Sequence, residues 1–181
     1  TFIAVTFIGI LTYAFANNIP KISECQSVTP MDNFSATTFF QGQWYVTHVK
    51  SVTSPTVCQT FSTSKTADGK YVTEFKYGSK GQQNKVHCEA TRDPVAKKLS
   101  FQCTTNDKPT FNSEFIVLDT DYNDYAVFYR CVTFTSGEKA DNYLVVSKNS
   151  GQTEIPAKAQ SFTADLGLQK CSDLRTAKKV V

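Results

Sequence analysis

Histidine is scarce in this chain, with two residues in 181, and no G-x-S-x-G turn accompanies them. Acyl-transfer chemistry is therefore left without its usual base and nucleophile. No two cysteines are close enough to form a C-x-x-C knuckle, which excludes a metal site of that type. Charged residues make up only 19 % of the chain, and 8 glycines and 6 prolines are modest. Extended disorder is not expected from such a composition. The 19 basic residues, against 16 acidic ones for a net +3, are scattered. No Lys/Arg-rich run sits beside stacking aromatics, which argues against nucleic acid as a partner. No long apolar run follows the first sixteen residues, so no membrane span is expected in the mature protein. Catalytic residues, metals and cofactors are all absent from the expectation.

What is present points to a small secreted domain. Residues 1–16, TFIAVTFIGILTYAFA, carry no charge and end in Ala14-Phe15-Ala16. Small residues at the last and third-last positions suit signal peptidase, so residues 1–16 are expected to be a leader cleaved after Ala16. The run is shorter than the roughly 20 residues that span a bilayer. Residues 17–181 then form one domain, and 14 Phe with 8 Tyr supply a substantial core. Six cysteines follow the leader, and an even count in a secreted chain implies disulfides, with 15 connectivities open. Once paired, they leave no thiol nucleophile. Asn33-Phe34-Ser35 is an N-glycosylation sequon, making Asn33 a candidate glycan site.

From about residue 43 to 148 the pattern is strand after strand. The spacing predicts strands at Trp44–Val49, Val57–Thr63, Lys70–Tyr77 and Lys85–Glu89, then Leu99–Cys103, Phe111–Leu118, Tyr125–Phe134 and Asn142–Lys148. Asp68-Gly69, Asp93-Pro94 and Ser136-Gly137 supply turns between them. The fold class is all-β, an eight-stranded antiparallel up-and-down barrel whose closure removes exposed edges. One C-terminal α-helix is expected at Pro156–Leu168, with Ala159, Phe162 and Leu166 on its buried face. The N-terminal segment to Gln41 reads as irregular, with a helical turn near Ser35–Phe40. If Cys88 and Cys103 face each other across a hairpin, its turn centres at Val95-Ala96, inside a polar, Pro-containing stretch.

Two motifs carry a resemblance. Gly42-Gln43-Trp44 is G-x-W, and Thr120-Asp121-Tyr122-Asn123-Asp124-Tyr125 is T-D-Y-x-x-Y between the sixth and seventh strands. At this separation they resemble the lipocalin family over nearly the whole mature length. Lys148 fills the place of the basic residue that stacks over the lipocalin Trp, where Arg is commoner. Asp121 and Asp124 read as turn caps. Trp44–His48, Ser54–Cys58 and the strand ending at Cys131 narrow the resemblance to salivary lipocalins of blood-feeding triatomine bugs, the triabin, pallidipin and procalin group. That resemblance implies disulfides Cys25–Cys131 and Cys58–Cys171, leaving Cys88–Cys103 as the third. Nitrophorins, in the same group, hold haem through a His on the fourth-strand segment. Lys76 stands there in Thr73–Tyr77, so haem is not expected.

Strand alternation gives an inside and an outside. With Trp44 inward, Val46 and His48 follow it. With Cys131 outward, Ala126, Phe128, Arg130 and Val132 point in, as do Asn142, Leu144 and Val146. Alternation leaves the side of His87 open. His48, Phe128, Arg130, Val132 and Leu144 are thus the candidate ligand residues. An apolar cavity with a guanidinium suits an amphipathic carboxylate. The resemblance implies a secreted, monomeric salivary protein that sequesters a small host mediator: an eicosanoid, biogenic amine or nucleotide. Such a protein would impair platelet aggregation and be met by bitten hosts as an allergen. The alternative is a macromolecular inhibitor of a clotting protease or contact factor, acting through mouth loops around Val52–Thr56 and Ser136–Asn142.

Overall fold

The computed structural model describes residues 20–52, 58–79, 81–93 and 97–177. The leader expected at 1–16 and the turn residues Val95 and Ala96 lie outside them. Eight strands run antiparallel in chain order: β1 (Gly42–Val49), β2 (Thr60–Lys65), β3 (Tyr71–Ser79), β4 (Gln82–Asp93), β5 (Lys98–Thr105), β6 (Lys108–Thr120), β7 (Tyr125–Phe134) and β8 (Lys139–Ser147). Each pairs with its neighbour, and β1 pairs with both β8 and β2, so the sheet closes into a barrel. A two-residue strand, β9 (Gln169–Lys170), pairs with His48 and Val49 of β1. It occupies the edge of β1 that β2, which pairs only with Gly42–Tyr45, leaves uncovered.

The strands form where β-branched and aromatic residues alternate with polar ones. The inward set on β3 to β6 includes Phe75, Val86, Leu99, Phe101 and Phe115, all buried in one cluster. β7 departs from alternation, with Tyr125 to Tyr129 buried without interruption. Its outer face is covered too. Tyr129, Cys131 and Tyr143 pack against the N-terminal segment through Ile22, Cys25 and Val28, while Tyr125, Val127 and Val145 pack against Ala159 and Ile155 of the C-terminal segment. A run buried on both faces needs no polar side.

The three disulfides join Cys25 to Cys131, Cys58 to Cys171 and Cys88 to Cys103. Cys88 sits directly opposite Cys103 in the β4–β5 register. Cys58 has φ 74° and precedes β2, which starts at Thr60; Val57, where the strand is expected to begin, lies outside the described residues. The backbone leaves the ladder there, where Cys58 is bonded to the tail.

The helix expected at Pro156–Leu168 is corrected. That stretch holds a 3-10 turn (Ala157–Ala159) and a four-residue α2 (Gln160–Thr163), and Gly167 then takes φ 64°. Ala159 and Thr163, one turn apart, face the barrel, which leaves Phe162 41 % exposed instead of buried. The Thr163 hydroxyl donates back to the Ala159 carbonyl at 3.0 Å. The C-terminal helix proper is α3 (Cys171–Ala177), which begins at the disulfide. A further single turn, α1 (Ala36–Phe39), is N-capped by Ser35 and brings Phe39 and Phe40 into the core.

Candidate functional site

The lipocalin-type motif residues build the closed end. Gly42 opens β1 with φ 76°, a conformation that favours glycine. Trp44 is 1 % exposed, and its indole N–H donates to the Phe39 carbonyl at 3.1 Å. The Phe39 ring stacks on the indole at 4.9 Å. Lys148 places its ammonium 4.0 Å from the indole centroid and donates to the Gln41 carbonyl. Thr120 and Asp121 hold the β6–β7 turn. The Thr120 hydroxyl donates to the Tyr125 carbonyl, and the Asp121 carboxylate accepts from the amides of Asn123, Asp124 and Tyr125. The Tyr122 hydroxyl accepts from the Ser35 amide, tying the N-terminal segment over this end. Asn33 is exposed beside it with φ 57°.

The barrel interior is packed with phenyl rings. A cavity of about 40 Å³ remains, bordered by Phe61, Phe75, Phe101, Phe128, Arg130 and the Cys88–Cys103 disulfide. Room for a few waters is all this allows, against several hundred Å³ for a typical ligand pocket. Arg130 is the charged residue of this lining. Its Nε donates to the Ser113 hydroxyl at 3.2 Å. Its guanidinium lies 5.5 Å from the Phe75 ring and 5.3 Å from the Phe111 ring. Burial pushes its pKa down to about 10, so it remains a cation at neutral pH. Among the described residues no carboxylate lies within ion-pair distance of it.

Of the sequence-derived candidates, Phe128 and Arg130 border the cavity. Leu144 belongs to the inner core and Val132 is partly exposed nearer the open rim, and neither borders the cavity. Asn142 ties the mouth instead, its side-chain amide donating to the Ser51 carbonyl and accepting from the Lys50 and Ser51 amides. Phe75, Phe111 and Ser113 were missed, although the two-residue period on β3 and β6 would have found them.

The inward placement of His48 is corrected. The β1–β8 register advances by one residue between Val46 and His48, so Thr47 and His48 together oppose Val145. This β-bulge turns His48 to the outer wall while Val49 returns to the core. His48 there is 5 % exposed and lies under the C-terminal segment. It borders an outer groove of about 520 Å³ with Glu154, Ile155, Leu168, Lys170 and Asp173. His87 also faces outward, with Nδ1 at 2.9 Å from Glu74 and Nε2 at 3.3 Å from Glu89. Lys76 is exposed on β3. Neither of the chain's two imidazoles reaches the interior.

Residues 14–161 match the family model described as Triabin. Procalin of Hospesneotomae protracta is 36 % identical over 174 residues, covering 94 % of this chain and 98 % of that protein. Platelet inhibitor triplatin-2 of Triatoma infestans is 32 % identical, covering 84 % of each. Among solved structures, a variant of LTBP1 in complex with leukotriene C4 superposes with a TM-score of 0.66 at 30 % identity. That match covers 82 % of this chain and 95 % of the other.

Proposed function

Because the chain belongs to the triabin family of lipocalins, ligand-binding carriers rather than enzymes, we propose that it is a secreted salivary protein sequestering a small anionic amphipathic mediator of the host. The observation that carries this reading is Arg130: a cation inside the barrel, ringed by phenyl groups, with no carboxylate within ion-pair distance among the described residues. Arg130 is partly buried, and a partly desolvated charge without a counter-ion is unfavourable, so a ligand carboxylate would answer it. An eicosanoid fits that chemistry, with its acid group on Arg130 and its chain among Phe75, Phe111 and Phe128. The leukotriene complex of LTBP1 supports the class. The cavity of about 40 Å³ requires the rings around Arg130 to change rotamer as the chain enters. Removing a platelet agonist lipid would impair haemostasis, and the platelet-inhibitor relative supports that outcome. The protein acts as a monomer in this reading, with Asn33 glycosylated at the closed end, away from the mouth.

The small cavity also favours a second reading, in which the segments expected to form mouth loops, around Val52–Thr56 (of which 53–56 lie outside the described residues) and Ser136–Asn142, inhibit a clotting protease or contact factor. Titration calorimetry with leukotriene C4 separates the two. Stoichiometric binding that Arg130→Met weakens at least tenfold supports the carrier. No binding by leukotriene C4 or other eicosanoid carboxylates, together with delayed clotting, would establish the inhibitor.

A further inference from the structure

The larger of these two openings lies outside the barrel. The groove beside His48, at about 520 Å³, falls within the range that accommodates a small organic ligand. Its floor is β1 at the bulge. Its roof is the C-terminal tail, held by the β1–β9 pairing, the Cys58–Cys171 disulfide and the Lys170–Glu154 ion pair. Both walls are thus fixed before anything binds, which lowers the ordering cost of binding.

The polarity of the groove can be worked out atom by atom. The Thr47 hydroxyl donates to the Val145 carbonyl at 3.2 Å, so its oxygen accepts from the His48 Nδ1–H at 3.0 Å. That assignment leaves Nε2 with a lone pair, and it has no partner among the described residues. No sealed side-chain nitrogen or oxygen among them lacks a partner, so Nε2 opens on the groove. Burial, reinforced by Lys170, holds the imidazole below its ordinary pKa, with Glu154 and Asp173 opposing. The Lys170 ammonium is engaged by Glu154. Asp173 has the Ser172 hydroxyl for a side-chain contact and no ion-pair partner among the described residues. The uncompensated charge of the groove is therefore negative. Ile155, Leu168 and Leu174 supply apolar wall.

We infer that this groove is a second binding site, separate from the barrel, for a small organic cation: a protonated amine carrying an apolar body. Nε2 of His48 accepts an N–H of the ammonium, Asp173 balances its charge, and the three aliphatic side chains cover its body. An anion would meet Asp173 with no uncommitted cation to oppose it.

The test uses the full chain and its two histidines. Phenethylamine is titrated at neutral pH while the imidazole ¹⁵N resonances are followed, with His87 on the far outer face as internal reference. The expected result is a saturable shift at His48 and none at His87. The exposed substitution Asp173→Asn weakens phenethylamine about tenfold, the loss of one charge-assisted hydrogen bond. Arg130→Met leaves phenethylamine affinity unchanged, and 3-phenylpropionate does not move His48. The inference is overturned if His48 stays unmoved up to millimolar amine, if Asp173→Asn has no effect, or if the acid binds as well as the amine. Loss of amine binding in Arg130→Met also overturns it, because the amine would then sit in the barrel.

Discussion

Arg130 and the two histidines show how far a side chain's neighbours set its behaviour. Arg130 lies among rings with one hydroxyl partner. Among the described residues its desolvation is offset by cation–π contact and that hydrogen bond. A partly desolvated charge with no ion-pair partner contributes little to folding. Arg130→Met is therefore expected to leave the unfolding free energy unchanged or raise it by about 1 kcal/mol while weakening carboxylate binding at least tenfold. Urea denaturation beside calorimetry checks both at once, and a destabilised variant would show that Arg130 serves the fold.

The histidines titrate in opposite directions. Hydrogen bonding to Glu74, then Glu89, raises the His87 pKa above 6.5, whereas burial lowers that of His48 below 6.5. The His87 contribution is complete below its unfolded pKa and is lost as pH rises through its folded value. The His48 contribution is complete above its unfolded pKa and is lost as pH falls through its folded value. Urea midpoints measured from about pH 8 to about pH 5 are therefore expected to fall less in His48→Gln than in the parent. In His87→Gln they fall more, by a small margin because His87 is 38 % exposed and screened. Parallel curves for all three proteins would contradict the assignment.

At the scale of elements, the disulfides and the tail divide the labour. Cys88–Cys103 closes a 15-residue separation within one hairpin, while Cys58–Cys171 spans 113. Chain entropy assigns the longer loop the larger effect, within a range of about 2–5 kcal/mol for either. Removing Cys58 and Cys171 together is expected to lower the urea midpoint and also release β9 and α3 to limited proteolysis. Removing Cys88 and Cys103 should leave the tail protected. Equal cleavage of the tail in both variants would count against this division. The same elements explain why periodicity misplaces the C-terminal helix. Ala159, Phe162 and Leu166 recur at helical spacing, but the segment crosses the barrel wall as a short turn. The wall accepts Ala159 and Thr163 and leaves Phe162 outside.

For the molecule as a whole, the central quantity is the volume inside the barrel. A ligand that binds only the folded state stabilises it by about 2.7 kcal/mol at a hundredfold excess over Kd, or several degrees in Tm for a chain of this size. Leukotriene C4 is expected to produce that rise in the parent and not in Arg130→Met. No rise in either protein, at concentrations to the micromolar range and above, points to the mouth loops instead.

The strand count, the barrel class, the G-x-W and T-D-Y-x-x-Y ends and the hairpin placing Cys88 opposite Cys103 were legible in the sequence. They rest on local period, turn chemistry and spacing, which a chain carries in its own order. Arg130 and Phe128 were legible for the same reason, because β7 pairs with β8 without a bulge from Tyr125 onward and Cys131 fixes its phase. Alternation could not carry His48. The bulge in β1 is a property of its pairing with β8, and one extra residue reverses the face of every later residue on the strand. Nor could the sequence reveal that, among the described residues, the cavity beside Arg130 holds about 40 Å³ while the outer groove has about 520 Å³. Those volumes depend on how rings from six strands and the α1 turn pack together, and on where a disulfide pins a tail distant in sequence. Tertiary structure alone decided them, because packing is a property of all the neighbours at once.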